Sequence, residues 1–592
     1  MARRLPAVLL LSLLLMHGAF AVAQHLAIPA SAKAYAGSVQ EKASSVGLPS
    51  AKVDAIFQKM DTRVTPGCAL SVMRDGKIVY ERGYGMANLD YDAPVTPTTV
   101  FHVASMSKQF TAASIILLAQ QGKLSLDDPV RKYIPELPDY GVPITIRQLM
   151  HHTGGLRDQW DLLGLAGWRY SLDLITDDDV LWAVSRQKEL NFTPGTRFLY
   201  SNSGYTLLAQ VVKRISGQSF REFTTTNIFR PLGMNSTHFR DDHAQIVKNF
   251  AEGYAPADGK FRISITNFDT VGATSLLTTV EDLARWDQNF YDPRVGGPSL
   301  IKQMLEPGKL NNGEQLDYAA GLIIGTYRGL NTVEHAGSDA GYQTDRIRFP
   351  NQHFSVACLC NSAATNPGNL ARQVAEIYLG KEMKPAEEAP ADDWKGVQLT
   401  SEQLRSRVGK YLNATVSDQN AAEDDLVTIS FKDNKLRAVF GLDDGTYELK
   451  ALEGNHFRLM PLPVYLTFGP PSSPDRDFRL RHSNGKAEMY RSVMDYKPSE
   501  ADLSSRAGVY SSEEIDSVYE IKAEKDTLVL FRRRREPDKL LPVTSDLYLG
   551  SVGRIFFTRD NRGQISGFRL STGRVQNLRF EKVQRDIPPV AP

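Results

Sequence analysis

Ser105 and Lys108 stand three residues apart in "FHVASMSKQFTA", Phe101 to Ala112. A serine hydroxyl becomes a nucleophile when a neighbouring base takes its proton. On a helix, residues three apart share a face, so Lys108 would rise one turn above Ser105. Ser107 points about 100° away from its neighbour Lys108. Ser105 is therefore the candidate nucleophile, and Ser107 reads as a packing or capping residue. The unpaired N–H groups of a helix start would also favour a developing oxyanion. At its ordinary pKa, lysine is neutral in about one molecule in a few thousand at pH 7. A second cation must lower that pKa, or a phenol must share the proton. S-x-x-K alone is weak, because solvated helix starts match it by chance. The continuation "TAASIILLAQQGKL" is apolar almost all round, which predicts a buried helix capped near Gly122 and a partly desolvated Lys108.

Two further stretches carry suitable groups. "PGTRFLYSNSGY" holds Tyr200, Ser201 and Asn202 after the turn residues Pro194 and Gly195. "EHAGSDAGY" holds His335, Ala336 and Gly337 leading into a strand. A glycine at 337 suits an edge strand that a substrate backbone approaches closely. Blander readings go to the other conspicuous residues. His151 and His152 lack any accompanying metal-binding pattern and read as turn-stabilising. Trp160, Trp168 and Tyr170 would either wall a cleft or fill a helical core. Asp177 to Asp179 read as a helix N-terminus, with Thr176 and Asp179 at capping-box spacing. No cofactor or metal is expected.

The elements that must position these residues follow from pattern. "CALSVMRDGKIVYERGYG" reads as a hairpin turning at Asp75-Gly76. Residues 125–300 read as mainly helical. Strands return in "YAAGLIIGTY", "NTVEHAG", "DRIRFP" and "FSVACLC", and the helix "NLARQVAEIYLG" closes the region. The expected class is α/β (α+β): terminal strands meeting in one antiparallel sheet, the central helix beneath it, and a helical subdomain. "KEMKPAEEAPADDWKG" reads as a linker. Beyond it, Leu404/Leu503, Gly409/Gly508 and Tyr411/Tyr510 each differ by 99 positions. This is a duplication, predicting two small antiparallel β domains. The expected layout is a signal peptide (1–23), a leader (24–50), a first domain that holds the candidate nucleophile (51–380), a linker (381–400) and two β repeats (401–498 and 499–592).

Charge excludes one class of partner. Lys and Arg total 69 against 68 Asp and Glu, so no electrostatic reason exists to expect nucleic acid. The N-terminus has Arg3 and Arg4, an apolar run centred on Leu9 to Leu15, and Ala21-Val22-Ala23 before Gln24. That is the form of a cleaved export signal, too short for a span of about 20 residues. The expected location is periplasmic or secreted, with no membrane span after cleavage. The three cysteines, Cys68, Cys358 and Cys360, form no disulfide framework and read most simply as small buried hydrophobes.

In order, Ser105-x-x-Lys108, Tyr200-x-Asn202 and His335-x-Gly337 resemble the three motifs of the penicillin-binding and class C β-lactamase-like serine hydrolases. "LMHHTGGL" and "DLARWDQNF" look like the same family, and the resemblance covers about residues 52–380. It implies a β-lactamase/transpeptidase-like fold and an acyl-enzyme on Ser105. Lys108 and Tyr200 would share proton transfer, with the choice of base left open. Asn202 would bond Lys108 or the substrate amide, and the backbone N–H groups of Ser105 and Ser338 would form the oxyanion hole. Many members carry lysine where this chain has His335, which would be charged only in part near pH 7. His-x-Gly and two small C-terminal antiparallel β-barrel-like domains are similar to the D-aminopeptidases, and His-x-Gly also to some esterases. The implied substrate is a peptide or small molecule carrying an amide or ester, with cell-wall turnover one source. The alternatives are a non-catalytic penicillin-binding-type receptor or a β-lactamase. "FRRRREPDK" at 531–539 would repel a substrate ammonium and reads as an exposed basic strand edge.

Overall fold

The computed structural model describes residues 50–385, 394–414, 426–441, 445–462, 464–470, 476–482, 487–494 and 496–583. The signal, nearly all of the leader and the middle of the linker lie outside the described residues. The chain divides into two units, one built around residues 50–160 and 168–385, the other around the C-terminal β repeats.

The first unit holds a six-stranded sheet. Its order is Ile323–Tyr327, Leu330–Asp339, Tyr342–Phe349, Phe354–Cys360, Cys68–Arg74, Lys77–Tyr84. Cys68–Arg74 pairs antiparallel with Phe354–Cys360, so the N-terminal hairpin closes against the C-terminal strands as expected. Both of these strands are buried nearly throughout, which explains why "CALSVM" and "FSVACLC" do not alternate. One face packs on the terminal helices Ser50–Phe57 and Pro367–Leu379 through Val53, Phe57, Ala371 and Val374. The central helix Lys108–Gln120 is buried from Lys108 to Leu118, as its apolar run predicted. Asp177–Ser185 begins on Thr176, whose hydroxyl takes the Asp179 N–H while the Asp179 side chain returns the bond.

Two expectations about the elements of this unit are corrected. Ser105 does not open an α-helix; it lies in a 3₁₀ turn, Ala104–Ser107, that runs into the helix at Lys108. Residues three apart eclipse in a 3₁₀ turn, so the Ser105–Lys108 relation survives the change. The cysteines are not three free hydrophobes. Cys68 and Cys360 stand directly opposite across paired strands and form a disulfide, leaving Cys358 as a buried free thiol. Spacing within one strand could not show a partner on another.

The second unit holds two closed eight-stranded antiparallel barrels, Gly409–Val493 and Gly508–Val583, in simple neighbour order. The first strand of each closes on the last, through Tyr411 opposite Ser492 and Tyr510 opposite Lys582. The repeats reuse one device at the same offset. Tyr411 Oη donates to Arg407 O at 2.7 Å, and Tyr510 Oη donates to Arg506 O at 2.6 Å. The arginine run is not a strand edge. Arg532 to Arg535 lie between the strands Thr527–Phe531 and Asp538–Pro542, and a closed barrel has no edge to protect.

Removing either buried phenol leaves a carbonyl without its donor. Tyr411→Phe and Tyr510→Phe should each destabilise their barrel by about 1–2 kcal/mol. Urea denaturation of the two variants checks this, and a loss confined to one of them contradicts the equivalence of the repeats.

Candidate active site

The strand Leu330–Asp339 lies against the turn that carries Ser105. Gly337 permits this contact, since a Cβ there would sit 2.2 Å from Val103 O and 2.5 Å from Thr344 Oγ1. The close neighbour is thus the chain two residues before Ser105. Thr344 Oγ1 donates to the same Val103 carbonyl at 3.2 Å. Strand Ile323–Tyr327 pairs only with Leu330 to Glu334, so among the described residues no strand covers that side of His335 to Asp339. Ser338 follows Gly337 and is exposed on this open edge, its Oγ accepting from Gln343 Nε2 at 2.8 Å.

Lys108 is fully buried, and its Nζ donates to acceptors on three segments. They are Ser105 Oγ at 3.1 Å, Asn202 Oδ1 at 2.8 Å and Ala273 O at 2.7 Å. An ammonium satisfies all three. A neutral amine would donate to the two carbonyl oxygens and turn its lone pair toward Ser105 Oγ, where it can accept the hydroxyl proton. Ser107 is excluded from this chemistry: its buried hydroxyl donates to Ala104 O at 2.6 Å and accepts from Leu276 N at 3.1 Å.

Asn202 begins the helix Asn202–Ser216, and its amide orientation is decided by Asp158. The buried Asp158 Oδ2 accepts Asn202 N–H at 2.6 Å and Asn202 Nδ2–H at 2.9 Å. A carboxylate only accepts, so the amide nitrogen must face Asp158 and Oδ1 must face Lys108. His152 supports the same segment, its Nδ1 accepting Ser201 N–H at 3.1 Å, which is a turn-stabilising part. Sequence reasoning missed Asp158 and Ala273. Asp158 lies just beyond "LMHHTGGL" without a motif of its own, and Ala273 acts through a backbone carbonyl that no side chain advertises.

The Tyr200 ring is buried with its centroid 4.8 Å from Lys108 Nζ, and the Tyr205 ring lies at 5.7 Å. Both faces favour positive charge on the lysine. Tyr205 Oη donates to Met150 O at 2.7 Å, tying "LMHH" to the site. His335 corrects an expectation. Its Nδ1 donates to Ala336 O at 2.6 Å, so its Nε2 accepts from Tyr318 Oη at 3.1 Å. Both nitrogens are thereby used by the neutral ring. Burial first, and the Lys108 charge second, push its pKa down to about 4. His335 is a neutral imidazole near pH 7, not a partly charged one. Tyr318, which no motif marked, also packs against Tyr200 and His152.

Trp160 stacks on Phe268 at 4.5 Å, and Tyr170 meets both rings edge-on. His151 is buried, with burial as the main cause of a pKa lowered to about 4.

Residues 53–379, more than half of the chain, match the Beta-lactamase family. The chain is 31% identical over 364 residues to penicillin-binding protein 4* of Bacillus subtilis (strain 168), covering 59% of this chain and 79% of that one. It is 27% identical over 314 residues to a D-aminopeptidase of Gluconobacter oxydans (strain 621H), covering 53% of this chain and 59% of the length of that relative. The fold is similar to that of an octameric penicillin-binding protein homologue from Pyrococcus abyssi, with TM-score 0.53 and 24% identity, covering 83% of this chain and all of that one. Motif order, sheet topology and these likenesses agree: the chain belongs to the beta-lactamase family of penicillin-binding-protein-like serine hydrolases.

Proposed function

We propose that this chain is an exported serine hydrolase that forms an acyl-enzyme on Ser105 from a peptide amide or ester, in the manner of a D-aminopeptidase or esterase. The observation that carries the reading is Lys108 Nζ held between Ser105 Oγ and Asn202 Oδ1. The Ser105 proton passes to the unprotonated member of the Lys108–Tyr200 pair as Oγ bonds the substrate carbonyl carbon. The N–H groups of Ser105 and Ser338 receive the negative charge on the carbonyl oxygen. The leaving amine or alcohol departs with a proton from the Lys108–Tyr200 pair. Water then attacks the acyl carbon and gives a proton to that pair, which returns one to Ser105 Oγ as the Oγ–acyl bond breaks and the acid leaves. The neutral His335 offers no cation to a substrate carboxylate, which favours this reading over an efficient β-lactamase or carboxypeptidase. The N-terminal sequence, which has the form of a cleaved export signal, supports a periplasmic or secreted site of action. Among the described residues no helix is long and apolar enough to cross a membrane.

Ser105→Ala should abolish turnover of a p-nitrophenyl ester and a D-alanyl p-nitroanilide, and Ser107→Ala should leave it within a few-fold of wild type. Activity retained without Ser105 rejects the assignment. The same panel with nitrocefin separates the β-lactamase alternative.

Asp158→Ala frees the Asn202 amide to rotate and should lower kcat/KM about 100-fold. Steady-state kinetics on the better substrate checks this, and a change under three-fold shows that Asn202 needs no such hold.

His335 and His151 both have folded pKa values of about 4, below the ordinary value of 6.5. The unfolded chain therefore binds protons first as pH falls. Stability should be full above about pH 6.5 and decline toward pH 4, with a smaller decline in His335→Gln. Melting temperatures at pH 7.5 and 4.5 test this; equal declines in both proteins contradict a buried neutral His335.

A further inference from the structure

Five residues flanking the proposed oxyanion hole form one hydrogen-bonded relay. Ala104, immediately before Ser105, donates its N–H to His102 Nδ1 at 3.3 Å. A backbone N–H only donates, so Nδ1 is bare and the ring proton is on Nε2. Burial holds His102 neutral by pushing its pKa down. The His102 Nε2–H meets Thr274 Oγ1 at 3.3 Å, and the Thr274 hydroxyl passes its single proton to Asp339 Oδ2 at 2.8 Å. The other oxygen, Asp339 Oδ1, accepts from Tyr170 Oη. Every polarity runs one way and ends on a carboxylate, which only accepts. His102, Thr274 and Asp339 are all buried.

The placement gives the relay a use. Asp339 follows Ser338, and Ala104 precedes Ser105. Ala104 has φ +48°, a left-handed conformation that is strained for a residue with a Cβ. Its N–H bond to His102 is one of the contacts that hold it there. Thr274 follows Ala273, whose carbonyl accepts from Lys108.

We propose that Asp339 is a positioning residue which, through Thr274 and His102, holds Ala104 in its left-handed conformation and so sets the Ser105 N–H against the Ser338 N–H. This rests on the acyl-enzyme reading above. Because the oxyanion forms after substrate binds, loss of the relay should lower kcat and spare KM.

The test uses full-length protein and burst titration with a p-nitrophenyl ester, so that rates are expressed per competent site. Thr274→Val removes the hydroxyl at nearly constant shape, Asp339→Ala removes the acceptor, and Thr274→Ser restores the link. Thr274→Val and Asp339→Ala should each lower kcat per titrated site about 10- to 100-fold, with KM within two-fold. Thr274→Ser should recover most of the rate, and the Thr274→Val/Asp339→Ala double variant should be no slower than the worse single one. Unchanged kcat per site, with only fewer titratable sites or a lower melting temperature, overturns the proposal and leaves the acyl-enzyme reading standing. No burst from wild-type protein overturns that reading, and this proposal with it.

Discussion

A lysine nitrogen removed from water must be given acceptors, because an unpaired buried charge is far costlier than a paired one. Lys108 has no exposed surface, and its three acceptors come from the turn before it, from the helix start at Asn202 and from the backbone at Ala273. Satisfying one nitrogen therefore fixes its own turn and two segments that lie 94 and 165 residues from Lys108 along the chain. The remaining contacts keep those segments where the nitrogen needs them. Asp158 turns the Asn202 amide, His152 holds Ser201, and Gly337 lets the open strand edge approach the turn.

The helix beneath the site is braced from its other side. Gln109, the neighbour of Lys108, accepts from Trp286 Nε1 at 2.7 Å and from Arg346 Nη1 at 3.1 Å. Arg346 and Arg348 converge on the buried Asp287 Oδ1 at 2.5 and 2.7 Å. Trp286 and Asp287 are the centre of "DLARWDQNF", so that stretch braces the nucleophile helix and carries none of the proposed chemistry. The two Arg–Asp pairs join the helix Val280–Gln288 to the strand Tyr342–Phe349, and the Gln109 bonds tie the nucleophile helix to both. A catalytic geometry is held best on rigid elements of this kind.

Much of this was legible in the sequence. The apolar run after Lys108 announced a buried helix, and the spacing of three placed Lys108 over Ser105 in either helical form. The offset of 99 between Tyr411 and Tyr510 exposed the duplication, and the structure repeats even the tyrosine-to-carbonyl bond. What stayed hidden was tertiary. The barrel form of the repeats came from the family resemblance; the register that pairs the first strand of each with the last was not in the local pattern. The Cys68–Cys360 bond depends on register between strands almost 300 residues apart. Asp158 carries no motif, because nothing local shows that it is buried against Asn202. His335 was misread for the same reason: its residue type suggests a titrating group, whereas its surroundings make it a neutral one.

The central claim is that Ser105, and not its neighbour Ser107, takes the acyl group. Its most direct test is to mix the protein with a p-nitrophenyl ester, quench in acid, digest with trypsin and sequence the modified peptide by fragmentation. Trypsin leaves Ser105 and Ser107 on the same peptide ending at Lys108, so fragment ions must separate them. The account predicts the acyl mass on Ser105 alone. An acyl group on Ser107, or hydrolysis of the ester with neither serine modified at any quench time, would contradict it.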